Sequence, residues 1–292
     1  MSNLYTENKD IRVSCSPFAI YPNEEIVSEI RKSEFKFSWI KPDEIKAIDV
    51  ELIYAIYVLQ YSTSRQLTQY LNLVRGISIH QKEVTKLLTK YNKMLICSRF
   101  AFKSDLTNDE TNLKAYTLAK NGNIILKNRP FDCTWKPTDS CILEDIKKYL
   151  ARNQFILKII DELSQANIEW KSGIIGVTGS YIYNDVRYHL IPVRRELDFQ
   201  GKLLFILNNL IQRSDYTNSD KIIIIGEDDK HLYEIFKHLA ITKNMNDNIL
   251  FTQDNRLISL NIDESFIKFN IYKIDGKTKV EIEQYGIHKN HI

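Results

Sequence analysis

From residue 49 to residue 92 the apolar positions recur every three to four residues, the period of helices with one buried face. Leu52, Ile53, Ile56 and Leu59 form the first stripe, and Asp49 is placed to cap its start. "SRQLTQYLNL" predicts a short second helix, with Ser64 as N-cap and Leu67, Tyr70 and Leu71 facing inward. After the turn "NLVRGIS", Ser78 can cap a third helix over 79–92. The period then falls to two. "MLICSRFAF" and "LKAYTLA" predict a strand and a returning strand around the polar loop "KSDLTNDETN", and "KNGNIIL" closes the unit. Three helices followed by a two-stranded ribbon describe a winged helix-turn-helix, here over residues 45–128.

Residues 1–44 are poorly periodic and read as an extension, broken at Pro17 and Pro22. "NRPFDCTWKPTDS" carries two prolines and reads as a linker. The helical period returns over 141–165 through Ile142, Ile146, Leu150, Ile156, Leu157 and Ile160. That helix suits either self-association or packing between the two halves. Residues 166–292 alternate strand-like and helix-like stretches. "KIIIIGE" is the β-branched run of a strand buried on both faces, and Asp275-Gly276 marks a hairpin turn. The predicted class is therefore mixed, α+β with an α/β half: a winged helix-turn-helix, a linker or association helix, and a C-terminal α/β domain.

Composition changes this picture only through its distribution. Of 292 residues, 43% are apolar and 26% charged, which supports a core, and the net charge is only +3. Between Ser64 and Lys103, however, eight basic residues face a single acid. Positive potential is thus concentrated where an anionic partner could feel it. Cys15, Cys97, Cys133 and Cys141 form no Cys-x-x-Cys pair, which favours a reduced, cytoplasmic setting over a zinc site. The polar start lacks an apolar signal core, and no apolar run approaches the roughly 18–20 residues of a membrane span.

The third helix concentrates the charge. At about 100° per residue, Leu87, Leu88 and Tyr91 fall within about 60° of Val84, while Lys82, Lys86, Lys90 and Lys93 fall at roughly 160–240°. Thr85 and Thr89 border the lysines, and only Glu83 could form a helical ion pair with them. A solvated face is the bland alternative. The shortage of acids and the position as third helix favour a face that lies on DNA. His80, Gln81, Lys82 and Thr85 stand where base edges would be read. Ser78 and Thr89 flank them. Lys86, Lys90, Lys93, Arg65, Arg75, Arg99 and Lys103 suit phosphates. Lysine is a point charge, so modest sequence specificity is expected.

"YSTSRQLTQYL", "VTKLLTKYNKMLI" and "YTLAKNGNIIL" together resemble the winged-helix half of the replication-relaxation proteins of Gram-positive plasmids and conjugative elements. The matching positions are Thr63, Gln66, Leu67, Leu88, Lys90, Leu95, Ile96, Tyr116, Leu118 and Gly122, with Ala119 where that family usually has threonine. The resemblance covers about 80 residues well. It implies DNA binding in plasmid replication, conjugative transfer or transcription control on a mobile element, alongside replication or transfer proteins. It also implies a C-terminal core resembling restriction endonucleases. That core needs an acid on one strand and Glu-x-Lys on the next to hold a metal and activate water. Here Glu169-Trp170-Lys171 precedes Asp185, the reverse order, and Pro192-Val193-Arg194-Arg195 supplies no acid. A degenerate core without catalysis is expected.

Glu227, Asp228 and Asp229 follow the buried strand, where open α/β sheets bind ligands, but capping of the next helix by Asp228 or Asp229 is the simpler role. His231 and His238 lie two helical turns apart without a third ligand and are expected at the surface. The three glycines of "GIIGVTGS" lack the spacing of a phosphate loop. The sequence thus predicts a non-enzymatic, cytoplasmic, homo-oligomeric protein that binds double-stranded DNA, with no cofactor, metal or membrane. A metal-dependent nuclease using Glu169, Lys171, Asp185 or residues 227–229, and a winged helix that binds protein, are the competing classes.

Overall fold

Lys46, Thr63 and His80 are the residues from which the first three helices start, each one to three positions away from the cap expected of the sequence. The structure is a computed structural model that describes residues 16–28, 35–41, 44–104, 113–131, 133–134, 142–242, 244, 247–274 and 277–286. Helix α1 (Ala47–Leu59) places Asp49 at its third position, where the carboxylate accepts from the Lys46 N–H at 2.7 Å. Helix α2 (Ser64–Leu73) is capped by Thr63 rather than Ser64. Thr63 Oγ1 accepts from the Gln66 N–H, and Gln66 Oε1 accepts from the Thr63 N–H, both at 3.1 Å, a reciprocal capping box. Helix α3 (Gln81–Lys93) starts after His80, not at Ser78. The Asn72 side chain holds the approach extended by accepting from the Ile79 N–H at 3.0 Å. Gly76, at φ +62°, makes the turn between α2 and α3.

Strands β1 (Glu25–Ser28), β2 (Cys97–Lys103) and β3 (Lys114–Leu118) form an antiparallel sheet in that order, with β2 central. The N-terminal extension thus adds a strand to the pair expected of the sequence. "KNGNIIL" folds as helix α4 (Lys120–Lys127). Its Gly122 lies so close to the Ile96 carbonyl that a Cβ would stand 2.3 Å from that oxygen, which gives this glycine a packing reason.

Helix α5 (Leu143–Glu162) is shorter than the predicted 141–165 and is buried along most of its length. Ile146, Leu150, Phe155, Ile156 and Ile159 lie in one apolar cluster with residues of the large sheet and with Phe100 and Phe102 of β2, so packing between the two halves occupies this face. Polar side chains fix the register. Gln66 Nε2 donates to the Leu150 carbonyl at 2.7 Å, and Asn153 donates to the carbonyls of Leu59 and Tyr61. Arg152, fully buried, donates to the carbonyls of Leu59, Trp170 and Thr178. Asn153 and Arg152 thereby satisfy carbonyls at and just past the end of α1, after β4 and before β5 that burial would otherwise leave unbonded.

The large sheet has seven strands in the order β10 (Lys277–Tyr285), β9 (Phe266–Ile274), β8 (Ile249–Gln253), β7 (Lys221–Gly226), β6 (Val186–Pro192), β5 (Gly179–Tyr183) and β4 (Asn167–Glu169). β6, β7 and β8 run parallel and the flanking pairs antiparallel. Asn184 and Asp185, both at positive φ, make the tight β5–β6 turn. The Asp275-Gly276 turn lies outside the described residues. Ile222 and Ile224 of β7 face helices α6 (Phe199–Ile211) and α7 (Asp229–Ile241), while Ile223 and Ile225 face α5. All four are fully buried, so the β-branched run is a strand covered on both sides. Helices α8 (Asp254–Ser259) and α9 (Ile262–Ser265) complete the α5 side. The chain is therefore a mixed α+β protein, with two sheets among the described residues. No helix among the described residues is long and apolar enough to cross a membrane.

Candidate nucleic-acid interface

The two faces of α3 separate as its periodicity requires. Val84, Leu88 and Tyr91 are fully buried against α1, α2 and β2, and Leu87 is half-buried. The Tyr91 hydroxyl donates to the Asp49 carboxylate, which ties α3 to the start of α1. Burial, then Asp49, pushes the Tyr91 phenol well above its ordinary range, so it stays protonated and can donate. On the opposite side Lys82, Lys86, Lys90 and Lys93 are all exposed, as are Thr85 and Thr89. No carboxylate pairs with any of the four lysines among the described residues; Lys90 Nζ donates to the Glu44 carbonyl at 3.2 Å. Thr85 and Thr89 return their hydroxyls to the carbonyls of Gln81 and Thr85. As exposed hydroxyls that donate to the helix, they keep acceptor capacity for a partner.

The other predicted contact residues divide. Ser78, His80 and Gln81 are exposed at the start of α3, with Gln81 Nε2 on Ser64 Oγ at 3.2 Å. Arg65 is exposed on the first turn of α2, beside that contact. Arg75 is committed elsewhere: its guanidinium holds Glu51 through two bonds of 2.7 and 3.1 Å and lies over the Tyr54 ring. Arg99 sits opposite Tyr116 across the β2–β3 pair and interacts with its phenol. Lys103 is exposed at the far end of β2, about 20 Å along the strand from Cys97, and stands opposite Glu25 of β1. The compact basic surface is thus α3 with the first turn of α2. Residues 105–112, between β2 and β3, lie outside the described residues.

A second cluster of charges lies at the C-terminal edge of the parallel strands; sequence reasoning placed only Glu227, Asp228 and Asp229 there. Arg194, fully buried after β6, donates to Asp254 at 3.0 Å; Asp254 also accepts from Ser16 Oγ at 2.5 Å. Glu227, fully buried after β7, accepts from the backbone N–H groups of Ile20 and Arg195 and from the Arg195 guanidinium. Arg195 also grips Asp228 with two bonds of 2.7 Å. Asp228 caps α7 by accepting from the His231 N–H, the role predicted for it. His231 is fully buried, contrary to expectation. Its ring turns back against Phe199 and accepts from the Glu227 N–H through Nδ1. Burial, with Arg195 and Arg194 nearby, lowers its pKa to about 3, so it is neutral. Burial raises Asp254 to about 6 against the pull of Arg194.

The residues considered for a nuclease do not converge. Glu169 accepts from Ser180 at the start of β5, whereas Asp185 lies at the turn beyond its end. Lys171 Nζ instead meets the Tyr57 hydroxyl at 2.8 Å, over its ring. Neither β5 nor β6 contains a carboxylate. Among the described residues no group of three or more His, Cys, Asp or Glu side chains could hold a metal ion. No family model, curated protein or solved structure matches this chain.

Proposed function

We propose that this protein binds double-stranded DNA through the lysine face of α3, with α1 to β3 serving as a winged helix-turn-helix. The observation that carries the reading is a helix with a fully buried Val84-Leu88-Tyr91 face and four exposed lysines opposite it, none paired with a carboxylate among the described residues. On an ordinary solvated face, acids interleave with lysines, because like charges at i,i+4 oppose the helix. Here Lys82, Lys86 and Lys90 follow one another at that spacing. A polyanion laid along the face turns this repulsion into attraction. Lys86, Lys90 and Lys93 suit phosphates; Gln81, Lys82 and Thr85 near the helix start are the base-edge candidates. The resemblance to the replication-relaxation proteins directs this binding to replication, transfer or transcription control on a mobile element, as a homo-oligomer.

Fluorescence anisotropy with a labelled mixed-sequence duplex tests the reading. With five to seven phosphates neutralised, log K should fall against log[salt] with a slope of roughly −4 to −6. Lys86→Glu with Lys90→Glu should abolish binding while leaving the fold intact. A slope near zero, or no binding to any duplex at low salt, overturns it.

A further inference from the structure

We propose that Trp39 forms a second part of this interface and stacks on a nucleic-acid base that lies outside the paired duplex. The inference rests on the DNA-binding reading of α3. Phe35, Phe37, Ile40 and Ile45 all pack against the three-helix core. Trp39, the largest apolar side chain of the segment, is left 57% exposed, with its ring edge-on to Phe35 at 5.5 Å. A short 3-10 turn (Phe37–Trp39) presents it, held by N–H donations from Trp39 to Lys36 and from Ile40 to Phe37 at 3.0 and 2.9 Å. The indole is therefore displayed from a fixed backbone, which lowers the ordering cost of using it in binding.

Two contacts set the segment against the C-terminal end of α3. The Asn121 side-chain amide donates both to the Phe35 carbonyl, at 3.3 Å, and to the carbonyl of Met94, the residue that ends α3. Nine residues further along the chain, the Glu44 carbonyl accepts from Lys90 on the lysine face. Lys36, Lys41 and Lys46 are exposed on the same segment. An exposed apolar ring with Lys36 and Lys41 three and two positions away in the chain suits a partner that is both anionic and aromatic, and nucleic acid is that partner. Base–aromatic stacking is sequence-tolerant because every base has a π-face. Inside a duplex both faces of each base are already stacked. A ring beside a phosphate-holding helix is therefore useful where the duplex gives way to a single strand.

The test measures full-length protein on two labelled DNAs, a blunt duplex and the same duplex with a single-stranded extension. Wild-type protein should bind the extended DNA roughly tenfold or more tighter than the blunt one, the size of one base–aromatic stack. Trp39→Ala should erase that preference without changing affinity for the blunt duplex, and Trp39→Phe should restore part of it. The residue is exposed, so an unchanged Tm is expected for both variants. If wild-type binds the two DNAs equally, or if Trp39→Ala keeps the preference, the stacking proposal is overturned and the α3 reading stands. If neither DNA is bound at low salt, the α3 reading falls and the stacking proposal falls with it.

Discussion

The lysine face of α3 and the charged edge of strands β6–β8 use the same kinds of side chain in opposite ways. On α3 the cations are exposed and have no carboxylate partners among the described residues. At the strand edge Arg194 and Asp254 are fully buried and bonded to each other, and Glu227 is fully buried under Arg195. The exposed set contributes little to stability, because surface charges are screened and already solvated. The buried set is sensitive because each charge has lost water and depends on its partner. The strand edge is also the place where open α/β sheets ordinarily take ligands. Here residues 16–20 of the chain occupy it through Ser16 on Asp254 and the Ile20 N–H on Glu227. A stretch of ionisable residues therefore identifies a function only when its burial and partners are known.

Removing one buried partner should break this comparison most strongly. Arg194→Met leaves Asp254 buried with Ser16 as its one remaining side-chain partner among the described residues and is expected to cost about 3–5 kcal/mol in urea unfolding. Pairing it with Asp254→Leu should recover much of the loss, since an apolar pair needs no partner charge. A double variant as unstable as the single one would show that the network is held by shape rather than charge.

The next effect is a pH dependence. His231 titrates near 3 when folded and near its ordinary 6.5 when unfolded. The unfolded chain thus binds more protons between those values, and this group's contribution to stability is lost as pH falls from about 6.5 to about 3. Asp254 opposes it: its folded pKa of about 6 lies above the ordinary 3.8, so it favours the folded state less as pH rises through that range. Comparing wild-type with His231→Asn separates the two, because asparagine can keep an acceptor for the Glu227 N–H without titrating. The stability advantage of wild-type over the variant should shrink by up to on the order of 4 kcal/mol between pH 7 and pH 3. A constant difference across that range would place a charged His231 in the folded protein.

The two regions also differ in how much of them could be read from the chain. The faces of α3 follow from local periodicity, so Val84, Leu88 and Tyr91 and the opposing lysines were identifiable without any long-range information. The same holds for the Ile222–Ile225 run and the Asn184-Asp185 turn. Helix starts were displaced by one to three residues although the bonds that set them are short in range: Asp49 on the Lys46 N–H, the Thr63–Gln66 box and Asn72 on the Ile79 N–H, each competing with a nearby residue equally able to cap. The strand-edge network was illegible for a stronger reason. Arg194 and Asp254 are separated by 60 residues and meet only because β6, β7 and β8 align in parallel register. The burial of His231 likewise depends on Phe199 from a different helix. Nor does local pattern show that Trp39, alone among its apolar neighbours, stays outside the core.

The smallest expected effect gives the sharpest contrast. Lys86 has like charges one helical turn away on both sides, Lys82 and Lys90, and only Glu83 to offset them. Lys86→Gln keeps a good helix former on the exposed face. It should leave unfolding stability unchanged or slightly raised, within about 0.5 kcal/mol, against the several expected at Arg194. The same substitution removes one phosphate contact on the proposed reading, so the slope of log K against log[salt] should become shallower by about one. A residue that stability does not need but the salt slope registers is placed for a partner rather than for the fold. If Lys86→Gln instead lowers stability as much as a buried substitution, or leaves the slope untouched, the division between the two charged regions fails at its exposed end.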